Sequence, residues 1–167
     1  MNHYKSWSGI KKQLSELLCD SLRNRITYFL THYNKVHDSY GRAAIRLDGK
    51  KLVCFSWINM YRQEDDISQL DFTAADNWGY DSPEIKAKWD AIGQYYEDDF
   101  LEAALTFLNL PIEKALESDN YIIKIFAIMD RRTGKRTLQR IKENGQYLYY
   151  PEWAKQFYQL RLEIDKI

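Results

Sequence analysis

Apolar residues near the start of the chain recur with a helical period. Trp7, Ile10, Leu14, Leu17 and Leu18 are spaced by 3, 4, 3 and 1, which puts them on one face of a helix over about residues 5–19. Ser6 or Ser8 is placed to cap its first turn. The period then changes to 2. RITYFLTHY (25–33) alternates and is rich in β-formers, and RAAIRLDGKKLVCF holds Asp48-Gly49 between two apolar runs. An Asp-Gly pair takes the positive φ angles of a type I′ turn at low cost, so it predicts a tight hairpin. Strands over about 25–33, 42–47 and 50–56 then form an antiparallel meander, with NKVHDSYG as its first connection.

Residues 57–82 carry no clear period. WINMYRQEDDISQL suggests a short helix and DFTAADNWGYDSP a loop, which Phe72, Trp78 and Tyr80 should pack in place. Ser82-Pro83 is a cap followed by a first-turn proline. Ile85, Trp89, Ile92, Tyr96, Phe100, Ala103 or Ala104, and Phe107 then recur at helical spacing, predicting one long helix to about Leu108 that Leu110-Pro111 ends. A short helix over about 112–117 follows. With Ser118 or Asp119 as cap, a second long helix is predicted over about 121–143, stopped by Asn144-Gly145. Pro151 opens the last helix, whose stripe is Trp153, Phe157, Leu160 and Ile164. One helix, a three-stranded antiparallel meander, then a bundle of about three to four helices makes the fold class α+β. A single domain over 1–167 is expected, with 1–58 as helix and small sheet, 59–82 as irregular connection and 83–167 as the helical part.

Composition narrows this picture. Hydrophobic residues at 45% and aromatics at 15% are enough to fill a core, which argues against disorder. No run of about 18 uncharged apolar residues exists to span a membrane. The segment MNHYKSWSGIKKQL lacks a hydrophobic signal core, so a cytoplasmic location is expected. Cys19 and Cys54 sit in apolar surroundings outside any CxxC pair, and are expected as buried thiols rather than zinc or redox groups. Net charge is zero but unevenly spread. Residues 1–58 carry 10 basic and 4 acidic side chains, 59–119 carry 4 and 15, and 120–167 carry 10 and 5. A dedicated nucleic-acid binder is usually basic overall, so this chain's own counter-charge weighs against that class.

The densest charge lies in MDRRTGKRTLQRIKENG (129–145), with six Lys or Arg among the twelve residues 131–142. If the helix begun at Tyr121 continues through it, Ile123, Ala127, Asp130, Gly134, Leu138 and Ile141 share a face. Gly134 then costs about 0.5–1 kcal/mol relative to alanine, which its use for close approach of another element would explain. A phosphate loop is excluded, because Gly134-Lys135 lacks both the earlier glycine and the following hydroxyl of G-x-x-x-x-G-K-[ST]. Arg131, Arg132, Lys135, Arg136, Arg140 and Lys142 could follow a phosphate backbone. The simpler expectation is internal neutralisation: Asp98 and Glu102 in YYEDDFLE repel at i, i+4 and need cations nearby.

Other chemistry is sparse. HDSYGR offers a base and an anion-binding group in His37, Asp38 and Arg42, yet Gly41-Arg42 also reads simply as the end of a turn and the start of a strand. His32, His37 and Asp38 match no zinc-site spacing, so no metal is expected. The carboxylate runs Glu64–Asp66 and Glu97–Asp99 read as wet faces rather than catalytic pairs. Neither G-x-S-x-G nor H-E-x-x-H occurs. The cluster GQYLYYPEWAKQFYQL reads first as core, although Tyr, Trp and Arg together also suit an interface.

DRRTGKRTL, with PEWAKQFYQLRLE close behind, resembles the C-terminal signature of a family of small uncharacterised bacterial proteins, labelled hypothetical. WSGIKKQLSELLCDSL, RITYFLTHY and HDSYGR resemble its N-terminal pattern. The similarity covers about Trp7–Arg42 and Asp130–Glu163, and the middle, 57–118, shows none. It implies a bacterial, cytoplasmic, single-domain protein and transfers no functional residue.

The function expected is therefore a non-enzymatic protein-interaction domain that works through the Arg/Tyr-rich C-terminal region or the acidic middle. Candidate binding residues are Arg131, Arg132, Lys135, Arg136, Arg140, His37, Asp38 and Arg42. Nucleic-acid binding through a 131–142 helix is the first alternative, and a small hydrolase-type enzyme near His37 and Asp38 the second. Another protein is the partner expected first, nucleic acid is less favoured, and no membrane partner, cofactor or catalytic residue is assigned.

Overall fold

A computed structural model describes residues 6–31, 41–56, 83–93 and 95–167. Helix α1 (Trp7–Leu17) precedes strands β1 (Ile26–Thr31), β2 (Arg42–Leu47) and β3 (Lys50–Phe55). Helices α2 (Pro83–Ile92), α3 (Glu97–Leu108), α4 (Ile112–Glu117), α5 (Tyr121–Met129) and α6 (Lys135–Asn144) follow. A 3-10 helix (Gln146–Tyr149) and α7 (Glu152–Ile164) complete the order. This is the α+β arrangement read from the sequence, with seven α-helices among the described residues.

The N-terminal half follows its periodicity closely. Ser6 Oγ accepts the Gly9 amide at 3.4 Å and caps α1, which buries Ile10 and Leu14. The sheet is antiparallel in the order β1-β2-β3. Asp48 (φ 50°) and Gly49 (φ 79°) both take positive φ, as the I′ hairpin requires. Tyr28 faces Ile45 and Ile45 faces Val53 on the core side, while Phe29 pairs with Ala44 on the other side.

The core gathers around α5, in which seven of nine residues are buried. Phe126 of α5 meets Phe100 and Phe107 of α3 at 5.4 Å each, and Tyr28 of β1 at 5.8 Å. Phe55 links the sheet to Phe100 at 5.9 Å and to Trp153 of α7 at 5.3 Å. Edge-on and tilted aromatic contacts of this kind add to the area they bury.

Both long helices expected in the C-terminal half are divided. The first breaks between α2 and α3 at Gly93, whose φ of +69° glycine adopts at less cost than residues with a Cβ. Its absent Cβ makes room for the Trp153 indole, which an added Cβ would meet at 3.2 Å. Trp153 Nε1 also donates to the Asp90 carbonyl at 2.6 Å, so the break doubles as a docking point for α7. The second divides at residues 130–134, described below. The cap of α5 is Asn120 rather than Ser118 or Asp119; its Oδ1 accepts the Ile122 and Ile123 amides at 2.9 and 3.3 Å. Cys19 is buried as expected, but Cys54 is only half-buried because it lies on the outer side of β3. The helix and loop expected over 57–82 lie outside the described residues.

Candidate functional site

The DRRTGK segment is a turn held on both sides. Asp130 leaves α5 in extended geometry (φ −72°, ψ 140°), which ends the helix. The Arg131 amide donates to the Leu17 carbonyl at 2.8 Å and the Cys19 amide to the Met129 carbonyl at 2.9 Å, tying the turn to the end of α1. The Asp130 side chain is fully buried. It accepts the Arg132 amide at 2.7 Å and the Arg132 guanidinium through Nε at 3.1 Å and NH2 at 2.8 Å. That paired geometry is the strong form of the arginine–carboxylate contact. Hydrogen bonding to Asp130 raises the Arg132 pKa; burial opposes the rise, and the charges of Asp130 and Glu113 add to it.

The far side of the turn is fastened to α7. Thr133 Oγ1 donates to the Ala127 carbonyl at 2.7 Å. Buried Arg161 donates through NH2 to the Thr133 carbonyl at 3.0 Å, and its Nε lies 3.1 Å from Asp165. Ser21 donates to the same carboxylate at 3.0 Å. Three elements thus fix the position from which α6 starts.

Gly134 begins α6 as its N-cap, with φ −80° and ψ 171°, and an added Cβ would find nothing within 4 Å. The expectation of a continuous rod with its glycine pressed against a neighbour is therefore wrong. A buried carboxylate that satisfies the backbone beyond the helix end stops the helix earlier than the apolar stripe suggests. Leu138 is the residue that α6 buries; Lys135, Arg136, Arg140 and Lys142 are exposed.

Neutralisation by the acidic helix is not found. Arg131, Lys135, Arg136 and Arg140 make no ion pair among the described residues, and neither do Asp98 and Glu102. Lys142 donates to the Ile167 carbonyl at 2.7 Å. The acidic run at α3 is instead stabilised where it stands. Glu97, Asp98 and Asp99 occupy the first turn, where the helix dipole favours negative charge. Asp99 accepts the Tyr96 amide at 2.7 Å, and buried Glu97 accepts the Gly41 amide at 2.9 Å.

A cleft of about 620 Å³ opens between α4 and α6. One wall is Ile112, Glu113, Leu116 and Glu117 of α4. The other is Arg132 and Thr133 of the turn with Thr137, Arg140, Ile141 and Asn144 of α6. Tyr158 of α7 lies beneath, stacked on Tyr147 at 5.6 Å and 7° and met edge-on by Tyr150 at 5.3 Å. Lys124 Nζ sits over the Tyr150 ring at 5.1 Å and donates to the Leu116 carbonyl at 3.1 Å. Beside this cleft, Leu148 and Tyr149 of the 3-10 helix are 53% and 89% exposed, the large hydrophobic residues left on the described surface.

The model of the SF0329 protein family matches residues 6–162, nearly the whole chain. The chain belongs to the SF0329 protein family. The match takes in the turn, both cleft walls and the sheet, including the middle segment in which the sequence itself showed no resemblance. No curated protein and no solved structure matches the chain significantly.

In this family member the candidate residues fall in three places. Arg131, Arg132, Lys135, Arg136 and Arg140 share the turn and α6, but Arg132 is committed to Asp130. Arg42 is on β2, its guanidinium 5.7 Å from the Phe29 ring centroid. His37 and Asp38 lie outside the described residues. Sequence reasoning missed Glu113, Glu117 and Tyr158. Glu113 and Glu117 lie on a short helix with no motif to mark them, and Tyr158 lies within GQYLYYPEWAKQFYQL, which reads first as core. No group of three or more metal-ligating side chains occurs among the described residues, nor any helix long and apolar enough to cross a membrane.

Proposed function

We propose that the chain is a non-enzymatic protein-interaction domain whose docking site is the α4–α6 cleft. Its partner is an amphipathic helical segment of another protein. That segment carries acidic residues on the flank facing Arg140 and basic residues on the flank facing Glu113 and Glu117. The carrying observation is the cleft's pair of oppositely charged walls over a tyrosine floor, with Leu148 and Tyr149 exposed beside it. Opposed charges fix the direction of a bound segment more than its affinity, while aromatic residues at the centre supply the binding energy. The cations of α6 that meet no carboxylate among the described residues extend the footprint of the segment's acidic flank beyond the cleft. The sequence resemblance supports placing this domain, as a single-domain chain, in a bacterial cytoplasm.

The test is capture from bacterial extract with the wild-type chain, followed by titration with the purified partner. Truncating an interface anchor typically costs 2 kcal/mol or more, so Tyr149→Ala should weaken binding roughly 30-fold. Arg140→Glu should weaken it too, and more at low salt. A partner bound equally by wild type, Tyr149→Ala and Arg140→Glu would refute the site. Capture of nucleic acid alone, lost on Arg136→Glu, would replace the reading with nucleic-acid binding on α6.

A further inference from the structure

The outer face of the sheet is a second, independent surface. Phe29 of β1 sits opposite Ala44, Thr27 opposite Arg46, Thr31 opposite Arg42, and Arg46 opposite Lys51, so these side chains share one face. The guanidinium groups of Arg42 and Arg46 lie 5.7 and 5.1 Å from the Phe29 ring centroid. Arg42 and Lys51 are exposed, and Arg46 and Phe29 half-buried. None of the three cations forms an ion pair among the described residues. Asp48, the carboxylate at the end of this hairpin, is already taken by Arg25 at 2.6 Å.

The ring rather than a carboxylate therefore holds the two arginines. A cation–π contact fixes a guanidinium in place without neutralising it or occupying its N–H donors. We infer that this face binds the backbone of a single-stranded nucleic acid, with Arg42, Arg46 and Lys51 on phosphates and Phe29 holding the two guanidinium groups in place. A single strand can lay its phosphates across this face and stack a splayed base on a guanidinium plane, without either having to enter a groove. Charge complementarity decides the occupant, because among the described residues the face offers cations and hydroxyls and no carboxylate.

The experiment is fluorescence anisotropy of a labelled oligo(U) or oligo(dT) with the purified full chain. Three phosphates on a single strand give a salt slope of about −2, so affinity should fall about 20-fold from 50 to 200 mM salt. Combined Arg42→Glu and Arg46→Glu should abolish binding. Phe29→Leu, which keeps apolar bulk, should weaken it, and Phe29→Tyr should retain it. Lys135→Glu with Arg136→Glu should leave it intact, and a duplex of the same length should bind less well. Each variant is first checked for a wild-type melting transition. No binding at 50 mM salt, loss only through Lys135 and Arg136, insensitivity to Phe29→Leu, or preference for the duplex would each overturn the inference.

Discussion

Replacing Asp130 with asparagine probes the turn from which α6 starts. The carboxylate is fully buried and its partner Arg132 is 38% exposed. Asparagine has nearly the same shape and its oxygen can still accept the Arg132 amide, now at 2.7 Å from Oδ1. Its Nδ2 would then stand against Arg132 NH2, which now donates to Oδ2 at 2.8 Å, placing donor against donor. Hydrogen bonds to charged groups are each worth about 1.5–3 kcal/mol. Two are weakened or lost, and water reaching the half-exposed guanidinium returns part of that, leaving a net loss of about 2–3 kcal/mol. For a chain of this size each kcal/mol moves the melting midpoint by about 2–4 °C, so the shift should be about 4–12 °C. Circular dichroism melts and urea titrations measure it. A double-mutant cycle with Arg132→Met isolates the pair, because the single Met variant strands a buried carboxylate and the double variant does not. A melting shift below about 2 °C for Asp130→Asn, or purely additive losses in the cycle, would refute the claim that this pair sets the turn.

Two further outcomes follow. Gly93→Ala should cost about 1–2 kcal/mol, since it forces a left-handed residue and brings a Cβ to 3.2 Å from Trp153, whereas Gly134→Ala should stay within about 0.5 kcal/mol because φ is −80° and nothing lies within 4 Å; urea midpoints for the two variants that prove equal would contradict the broken-helix geometry. Stability should also fall in alkali. Burial raises the pKa of Tyr28 and Tyr158 above the ordinary phenol value, with the charges of Asp130 and Cys19 adding to the rise at Tyr28 and those of Tyr150 and Tyr121 at Tyr158. The stability that comes from keeping both phenols protonated is therefore intact below about pH 10, where the unfolded phenol titrates, and shrinks above it by about 1.4 kcal/mol per tyrosine per pH unit. Burial lowers the pKa of half-buried Lys124, which opposes the trend more weakly. Urea midpoints measured from about pH 8 to 11 check this, and a flat profile would rule it out.

The sequence carried most of the fold wherever one local signal decided the backbone. Asp48-Gly49 fixed the hairpin because both residues must take positive φ, and the observed angles are 50° and 79°. Asn144-Gly145 ended α6 through a left-handed Gly145 at φ 66°. The two merged helices failed for a different reason. Apolar periodicity continues across Gly93 and across Asp130 because both sides of each break pack on the same core. A stripe therefore reports which face is buried and is blind to whether the backbone between is continuous. At Gly93 the deciding partner is Trp153, sixty residues away in the chain, and at Asp130 it is the end of α1.

The site was less legible, because much of the charge balance among the described residues is settled by the backbone and by near neighbours in sequence. Arg132 is answered two residues away by Asp130 and Arg161 four residues away by Asp165. The acids at 97–99 lie in the first turn of a helix, where the dipole favours them, and Glu97 and Asp99 also accept the Gly41 and Tyr96 amides. Counting charges by segment suggested that the acidic middle and the basic C-terminal stretch cancel each other. Once the acids are satisfied locally, the α6 cations have nothing inside the described fold to neutralise them. The same reasoning applies to the sheet, where Phe29 holds Arg42 and Arg46 without a carboxylate. Two cationic surfaces therefore coexist on a chain of zero net charge, and what distinguishes them is what lies beside each. The α6 surface borders an acidic wall and exposed Leu148 and Tyr149, which suit a protein of mixed charge. The sheet surface borders a single aromatic ring and threonines, which suit a phosphate backbone.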